Sequence, residues 1–273
     1  MMARKSVAGK VAVITGSSMG IGKATAKELG SKGARLVING RTESRLLSAQ
    51  QELAALGYEV LAVTADISTY EGAQTLIEEA VKRYGQIDIL INNAGMSSRG
   101  YFEELAPQVL EQMMSINFLG CLYPTKAALS YLQKTEGSIV FISSVAGIRG
   151  LPETSIYCAS KMALTSMAES LRVELSDANI HVGIVYVGIT ANDPGKKVIN
   201  KDGSHLILQD REHRKTQTPQ EVAKAITKLI EKRRFKKILS TLGKINAIAN
   251  VLFPRLVDKI LIRSKEKIRQ MNT

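Results

Sequence analysis

The chain has 273 residues, 45% hydrophobic and 23% charged, which is enough apolar material for a substantial core and unlike a disordered chain. Its two cysteines, Cys121 and Cys158, form neither a disulfide framework nor a metal-ligand spacing, and they predict free thiols in a reducing compartment. The net charge of +12 is unevenly placed: from Lys201 onward there are 18 Lys/Arg against 7 Asp/Glu, whereas the first 200 residues hold 19 against 18.

Residues 1–10 carry Arg4, Lys5 and Lys10 without an apolar run behind them, so no export signal is expected and the expected location is cytoplasmic. No window reaches the roughly 18 uninterrupted apolar residues of a spanning helix. On charge alone, a basic last quarter admits nucleic acid, an anionic membrane surface or an acidic protein. Without a reading motif or interleaved aromatics, nucleic acid is not expected.

Short apolar runs alternate with longer amphipathic stretches. Residues 10–15, 35–39, 59–63, 87–91, 138–142 and 180–185 read as buried strands, rich in β-branched side chains and without polar alternation. Helices are expected over about 21–32, 43–56, 70–84, 107–133 and 152–176. The alternation predicts one α/β domain, a doubly wound parallel sheet of about seven strands with helices on both faces. The polar stretch 190–218, which contains Pro194, Gly195 and Gly203, is expected to be a substrate loop. Thr218-Pro219-Gln220-Glu221 then carries a capping-box pattern. A last strand is expected near 235–239, closing a catalytic unit over 1–240. Residues 241–273 form a basic amphipathic extension broken near Pro254.

The first strand runs into Thr15-Gly16-Ser17-Ser18-Met19-Gly20-Ile21-Gly22. Glycines at a strand-to-helix turn let backbone N–H groups approach a pyrophosphate, and the helix N-terminus favours its charge. Further on come Asn92-Asn93-Ala94-Gly95, then Ser115-Ile116-Asn117, Ser143-Ser144, and Tyr157-x-x-x-Lys161. In this order and spacing, over about residues 9–190, the chain resembles the short-chain dehydrogenase/reductase family, in its single-domain, Rossmann-type branch.

Tyr157 and Lys161, four apart on a helix, project from one face. A phenol near pKa 10 exchanges protons poorly at neutral pH, and a neighbouring ammonium and a cationic nicotinamide favour its phenolate. Tyr157 is therefore the expected acid/base. By the resemblance, Ser144, 13 residues earlier, hydrogen-bonds the reacting oxygen, and Ser143 points to the opposite face. The resemblance also gives Asn117 a water-holding place in a proton relay with Lys161; the alternative is a polar residue that bends its helix. The expected cofactor-binding residues are Gly16, Ser18, Gly20, Ile21, Gly22, Arg41, Asp66, Ile67, Asn93, Ala94, Gly95, Tyr157, Lys161, Val187, Gly188 and Thr190. No metal site is expected.

The second strand ends Ile38-Asn39-Gly40-Arg41-Thr42, with no acid to bind a ribose 2′-hydroxyl before Glu43. Arg41 suits a 2′-phosphate, so NADP(H) is expected over NAD(H); the alternative is a solvated loop charge. Asp66 matches the family's adenine-binding aspartate, or else caps the next helix. The family's Pro-Gly after the sixth strand reads Val187-Gly188 here, so backbone contacts are expected to survive while the loop geometry departs. His181 is read as a strand residue, His205 and His213 as loop residues, and Met113 and Met114 as core.

The extension supports two readings. It either packs over the cleft or a partner subunit, or lies on lipid with Phe253, Leu256 and Ile260 inserted and Lys244, Arg255, Lys259, Arg263 and Lys267 at the headgroups. By the resemblance, such length suits steroid, retinoid and sphingoid ketone substrates. The leading expectation is an NADP(H)-dependent oxidoreductase of a lipophilic ketone or secondary alcohol, assembled as a homodimer or homotetramer and in peripheral contact with membrane. The alternatives are a 3-oxoacyl-carrier-protein reductase and a non-catalytic dinucleotide sensor.

Overall fold

The structure, a computed structural model, describes residues 5–191, 195–207 and 216–272. Runs of Val, Ile and Leu form β1 (Val11–Ile14), β2 (Arg35–Gly40), β3 (Val60–Thr64), β4 (Ile89–Asn92), β5 (Ser138–Ser144) and β6 (His181–Val187), followed by β7 (Lys197–Ile199), β8 (His205–Ile207) and β9 (Lys236–Ile238). Between and beyond them lie α1 (Gly20–Gly30), α2 (Glu43–Ala54), α3 (Tyr70–Tyr84), α4 (Pro107–Met114), α5 (Gly120–Thr135), α6 (Ser155–Glu174), α7 (Pro219–Glu231), α8 (Thr241–Leu252) and α9 (Pro254–Asn272).

Seven strands make one parallel sheet in the order β3-β2-β1-β4-β5-β6-β9. Successive strand residues face opposite sides, and both sides are buried. Val11 and Val13 meet Leu76 and Ile77 of α3, Ala128 of α5 and Leu164 of α6 in one core. Ala12 and Ile14 meet Leu29 of α1, Leu46 of α2 and Ile226 of α7 in the other. The winding reverses between β1 and β4, so the crevice beyond the strand ends opens there, where ligands of such sheets bind.

The expected strands lie within two residues of the observed ones, and the capping box closes as expected. Thr218 Oγ1 accepts from the Glu221 N–H at 3.2 Å, and Glu221 Oε2 accepts from the Thr218 N–H at 2.9 Å.

Four expectations are corrected. The helix expected over 107–133 is split into α4 and α5 by a π turn, Ser115–Leu119. Its centre, Asn117, is held by three long-range hydrogen bonds that compete with a regular helix. The polar stretch 190–218 is not all loop, because β7 and β8 pair antiparallel across a turn containing Gly203 at φ 89°. His205 opens β8 and is therefore a strand residue, whereas Pro194 and His213 lie outside the described residues. Asp66 does not cap α3; Thr69 does, accepting from the Gly72 N–H at 3.1 Å.

Met113 is fully buried and packs with Val109 and Ile199, as expected, while Met114 is only half-buried. Cys121 and Cys158 are buried free thiols. The chain breaks between α8 and α9 at Pro254, which opens α9 where its missing N–H costs nothing. Among the described residues, no helix is long and apolar enough to cross a membrane.

His181 joins β5, β6 and the approach to β9. Its Nε2–H donates to the Arg234 carbonyl at 2.9 Å, while Nδ1 lies 3.2 Å from Ser138 Oγ, an arrangement that suits the neutral ring. Burial pushes its pKa from 6.5 down to about 4. The folded state therefore resists a proton that the unfolded chain binds. This stability is fully present above pH 6.5 and is lost as the pH falls toward 4. The difference corresponds to something on the order of 3 kcal/mol. The wild-type melting temperature should fall more steeply over that window than that of His181→Gln, as read by thermal melts; parallel curves would contradict this.

Candidate active site

The C-terminal ends of β1, β2, β4, β5 and β6 open onto a cleft of about 820 Å³. At one end, β1 turns into α1 through Gly16 (φ 59°) and Gly20 (φ 58°), conformations that favour glycine. A Cβ on Gly16 would lie 2.7 Å from Ala94 Cα, and one on Gly22 would lie 2.4 Å from the Gly16 carbonyl. Bulk at either position would fill the cradle or push α1 off the turn. The N-cap of α1, Met19, makes no side-chain cap, and the first turn carries no acid. Such a helix end suits an anion. Glycines, a tight turn and an uncapped helix terminus therefore fit a dinucleotide pyrophosphate.

The segment after β4 braces this turn. Thr15 Oγ1 accepts from the N–H groups of Asn93 (2.9 Å) and Ala94 (3.0 Å). Asn93 Nδ2 donates to the carbonyls of Thr15 and Gly16, each at 2.9 Å. The Asn93 side chain thus positions the loop, even though the residue also lines the cleft.

Beyond β2 the wall is formed by Gly40, Arg41 and Thr42, with Ser18 and Arg45 nearby. Asn39, which precedes Gly40 and also borders the cleft, gives its amide to the carbonyls of Val63 and Ala65, both at 3.1 Å. Arg41 stands 3.8 Å from Asp66. Burial alone would raise the Asp66 pKa, yet hydrogen bonds from Ser68 and the Arg41 charge together hold it below 3.8. Asp66 is thus a carboxylate on the cleft wall beside Ile67.

At the other end, Ser144, Tyr157 and Lys161 face the same space. Ser144 ends β5, and its Oγ accepts from the Ala146 N–H at 3.2 Å. Ser143 turns the other way and donates to the Lys161 carbonyl at 3.1 Å. Lys161 is buried beneath the wall, with Nζ donating to the Ile142 carbonyl at 2.9 Å, and burial lowers its pKa. Asn117 is fully buried and is not on the cleft wall. Its Oδ1 accepts from the Met96 N–H at 2.8 Å, while Nδ2 donates to the Met96 carbonyl (2.9 Å) and to Ser160 Oγ (3.0 Å). Asn117 and Lys161 both approach Gly95, where a Cβ would lie 3.0 Å from Asn117 Oδ1 and 3.2 Å from Lys161 Nζ.

Of the expected residues, Gly16, Ser18, Gly20, Ile21, Arg41, Asp66, Ile67, Asn93, Ala94, Gly95, Ser144, Tyr157, Lys161, Val187, Gly188 and Thr190 all line this one cleft. Gly22 and Asn117 stand behind it. Gly188 is held by its N–H donating to the side-chain Oε1 of Gln217 at 3.2 Å, in a turn that has Val187 where the family has proline. Arg45 was not foreseen; its only signal was a second arginine one helical turn after Arg41. The rim residues Arg99, Lys197 and His205 were not foreseen either.

The short chain dehydrogenase family profile matches residues 10–203. Dehydrogenase/reductase SDR family member 7B of Danio rerio is 32% identical over 272 residues, covering 97% of this chain and 88% of that protein. The 3-ketodihydrosphingosine reductase of Bos taurus is 36% identical over 225 residues, covering 79% and 67%. Among solved structures, a Burkholderia phymatum short chain dehydrogenase/reductase in complex with NAD superposes with a TM-score of 0.80 at 24% identity, over 92% of this chain and 96% of that one. An alcohol dehydrogenase from the archaeon Thermococcus sibiricus, complexed with 5-hydroxy-NADP, gives 0.75 at 26%, over 86% and 97%. With the glycine turn, the seven-stranded sheet and this profile in agreement, the chain belongs to the short-chain dehydrogenase/reductase family, oxidoreductases that work between CH–OH and C=O with a nicotinamide dinucleotide.

Proposed function

We propose that the protein is an NADP(H)-dependent reductase of a lipophilic ketone, or in reverse a dehydrogenase of the matching secondary alcohol. The observation that carries this reading is that Ser144 and Tyr157 open onto the cleft that holds the glycine turn, with Lys161 beneath them. When bound, the dinucleotide supplies or accepts a hydride at its nicotinamide. Ser144 Oγ hydrogen-bonds the substrate oxygen and fixes it beside the phenol. Tyr157 gives a proton to that oxygen during reduction and takes it back during oxidation. The Lys161 ammonium favours the phenolate, and Asn117 positions Lys161 from behind Gly95. Residues 1–240 form the catalytic unit and the segment around 190–218 its substrate side.

Two features support a lipophilic substrate: the resemblance to a sphingoid-ketone reductase, and apolar walls from Ile116, Leu151, Val187, Ile189 and Val198. NADP(H) is favoured because no acid lies at the end of β2, while Arg41, Arg45 and Ser18 surround that corner. NADPH oxidation should be measured with a steroid ketone, a long-chain sphingoid ketone and an acyl thioester. Preference for the thioester would replace this reading with the carrier-protein reductase.

Tyr157→Phe removes the exchangeable proton and keeps the ring. Its kcat should fall by about two to four orders of magnitude with dinucleotide affinity unchanged, as read by steady-state rates and fluorescence titration. Near-normal turnover would remove Tyr157 from the acid/base role.

Arg41→Ala should weaken NADPH by roughly 10- to 150-fold, the equivalent of a charge-assisted contact of about 1.5–3 kcal/mol, and leave NADH nearly unaffected. Equal losses for both dinucleotides in the titration would contradict 2′-phosphate selection.

A homo-oligomer is also expected, because α6 leaves Met162 and Val173 exposed on a helix already buried against the core. Analytical ultracentrifugation at micromolar concentration tests this, and a pure monomer would exclude it.

A further inference from the structure

Half of the exposed large hydrophobic side chains among the described residues fall within 242–262, including Ile245, Ile248, Val251, Phe253, Leu256 and Ile260. They belong to α8, to α9 and, at Phe253, to the junction between them, so the exposure is concentrated and not scattered. Across 241–265 the same stretch carries Lys244, Arg255, Lys259, Arg263 and Lys265 against a single acid, Asp258. That acid is exposed but already paired, because Arg149 donates to both Asn250 of α8 and Asp258 of α9. Over these residues the exposed face is therefore apolar and basic, with its one negative charge already paired.

The pair is rooted on the cleft. Ser240, which caps α8, packs on Gly188, where a Cβ would lie 2.9 Å from Ser240 Cβ. Gly243 packs on Val145, whose Cγ1 would lie 2.5 Å from a Cβ at that glycine. Asn250 Nδ2 donates to the Ile148 carbonyl at 3.4 Å. Gly188 and Val145 are themselves cleft-wall residues, and Arg149 and Ile148 continue the segment that leaves Ser144.

We propose that the outer face of α8 and α9 docks on an anionic lipid surface and so seats the substrate side of the cleft against that surface. Amphipathic helices with a cationic flank lie in the headgroup layer with their apolar side in the acyl boundary. A second copy of this chain suits the face less well, since a two-fold contact would set these uncompensated cations against one another. No described helix is long and apolar enough to cross, and the proposed contact is one of helices lying on the surface. The side chain of Lys267 lies outside those described. Docking stands on this geometry alone; the seating of the cleft rests on the lipophilic-substrate reading.

The test is co-sedimentation of the full chain, without substrate, with phosphatidylglycerol/phosphatidylcholine vesicles and with phosphatidylcholine vesicles alone. Binding is expected to the anionic vesicles and to weaken as salt is raised. Each neutralised cation should cost about fivefold in partitioning at low salt, so Lys244→Gln with Arg255→Gln should lose well over tenfold. Phe253→Ser with Leu256→Ser and Ile260→Ser should lose at least as much. All these positions are exposed, and unchanged melting and dinucleotide binding verify that the variants are folded. No binding to anionic vesicles, or equal binding by wild type and variants, overturns docking. So does a variant that only shifts a dimer to a monomer while vesicle binding persists.

For the seating, the triple serine variant should raise KM for a vesicle-borne long-chain ketone at least tenfold while leaving kcat/KM for a water-soluble ketone within twofold. An equal effect on both substrates, or on neither, overturns it. Sedimentation needs no turnover, so a chain that reduces no ketone refutes the functional reading, and with it the seating, while docking is judged independently.

Discussion

The cleft depends on one contact, the seating of the first turn of α1 against the segment that leaves β4. Gly16 and Gly22 let backbone approach backbone, and Thr15 and Asn93 satisfy the polar groups that this approach buries. Each such bond contributes only about 1 kcal/mol net, yet a buried group left without its partner costs about 1–3 kcal/mol. The contact lies where β1 meets β4 and the winding reverses, so it fixes both the cradle and the floor on which Lys161 and Asn117 meet.

That floor buries the Lys161 amine, and the burial lowers its pKa. Cys121 is fully buried within electrostatic reach of Lys161, and burial pushes its thiol up to about 11 despite the nearby amine. It therefore remains a neutral thiol, donating to the Asn117 carbonyl at 3.3 Å. The π turn belongs to the same arrangement, since Asn117, which it presents, bonds to Met96 and to Ser160 across the chain.

The fold was legible because its signals are local. Unbroken Val/Ile/Leu runs mark two-sided burial, and Thr218-Pro219 with Glu221 marks a helix start whatever surrounds it. The glycine turn and the Tyr157/Lys161 pair were legible for the same reason. What could not be read depends on partners distant in sequence. Asn117 lies 21 residues from Met96 and 43 from Ser160, and nothing near it announces a widened turn. Asp66 seemed free to cap α3 until Thr69, three residues on, was seen to do so. The latch from Arg149 spans 109 residues to Asp258. The β7–β8 hairpin is a different matter, since Asp202-Gly203 is an ordinary turn signal that the surrounding polarity obscured.

Gly40 ties two positions together in descent. A Cβ there would stand 3.3 Å from Ser18 Oγ and 3.4 Å from Ser18 Cβ, a tight fit that asks Ser18 to give by a few tenths of an ångström. Ser18 sits in the glycine turn and lines the cleft beside Gly20. The second strand's last residue and the turn's third are thus mutually constrained. A larger side chain at position 40 would therefore be felt in the glycine turn, on the far side of the cleft corner from its own strand, even though neither residue takes part in proton transfer.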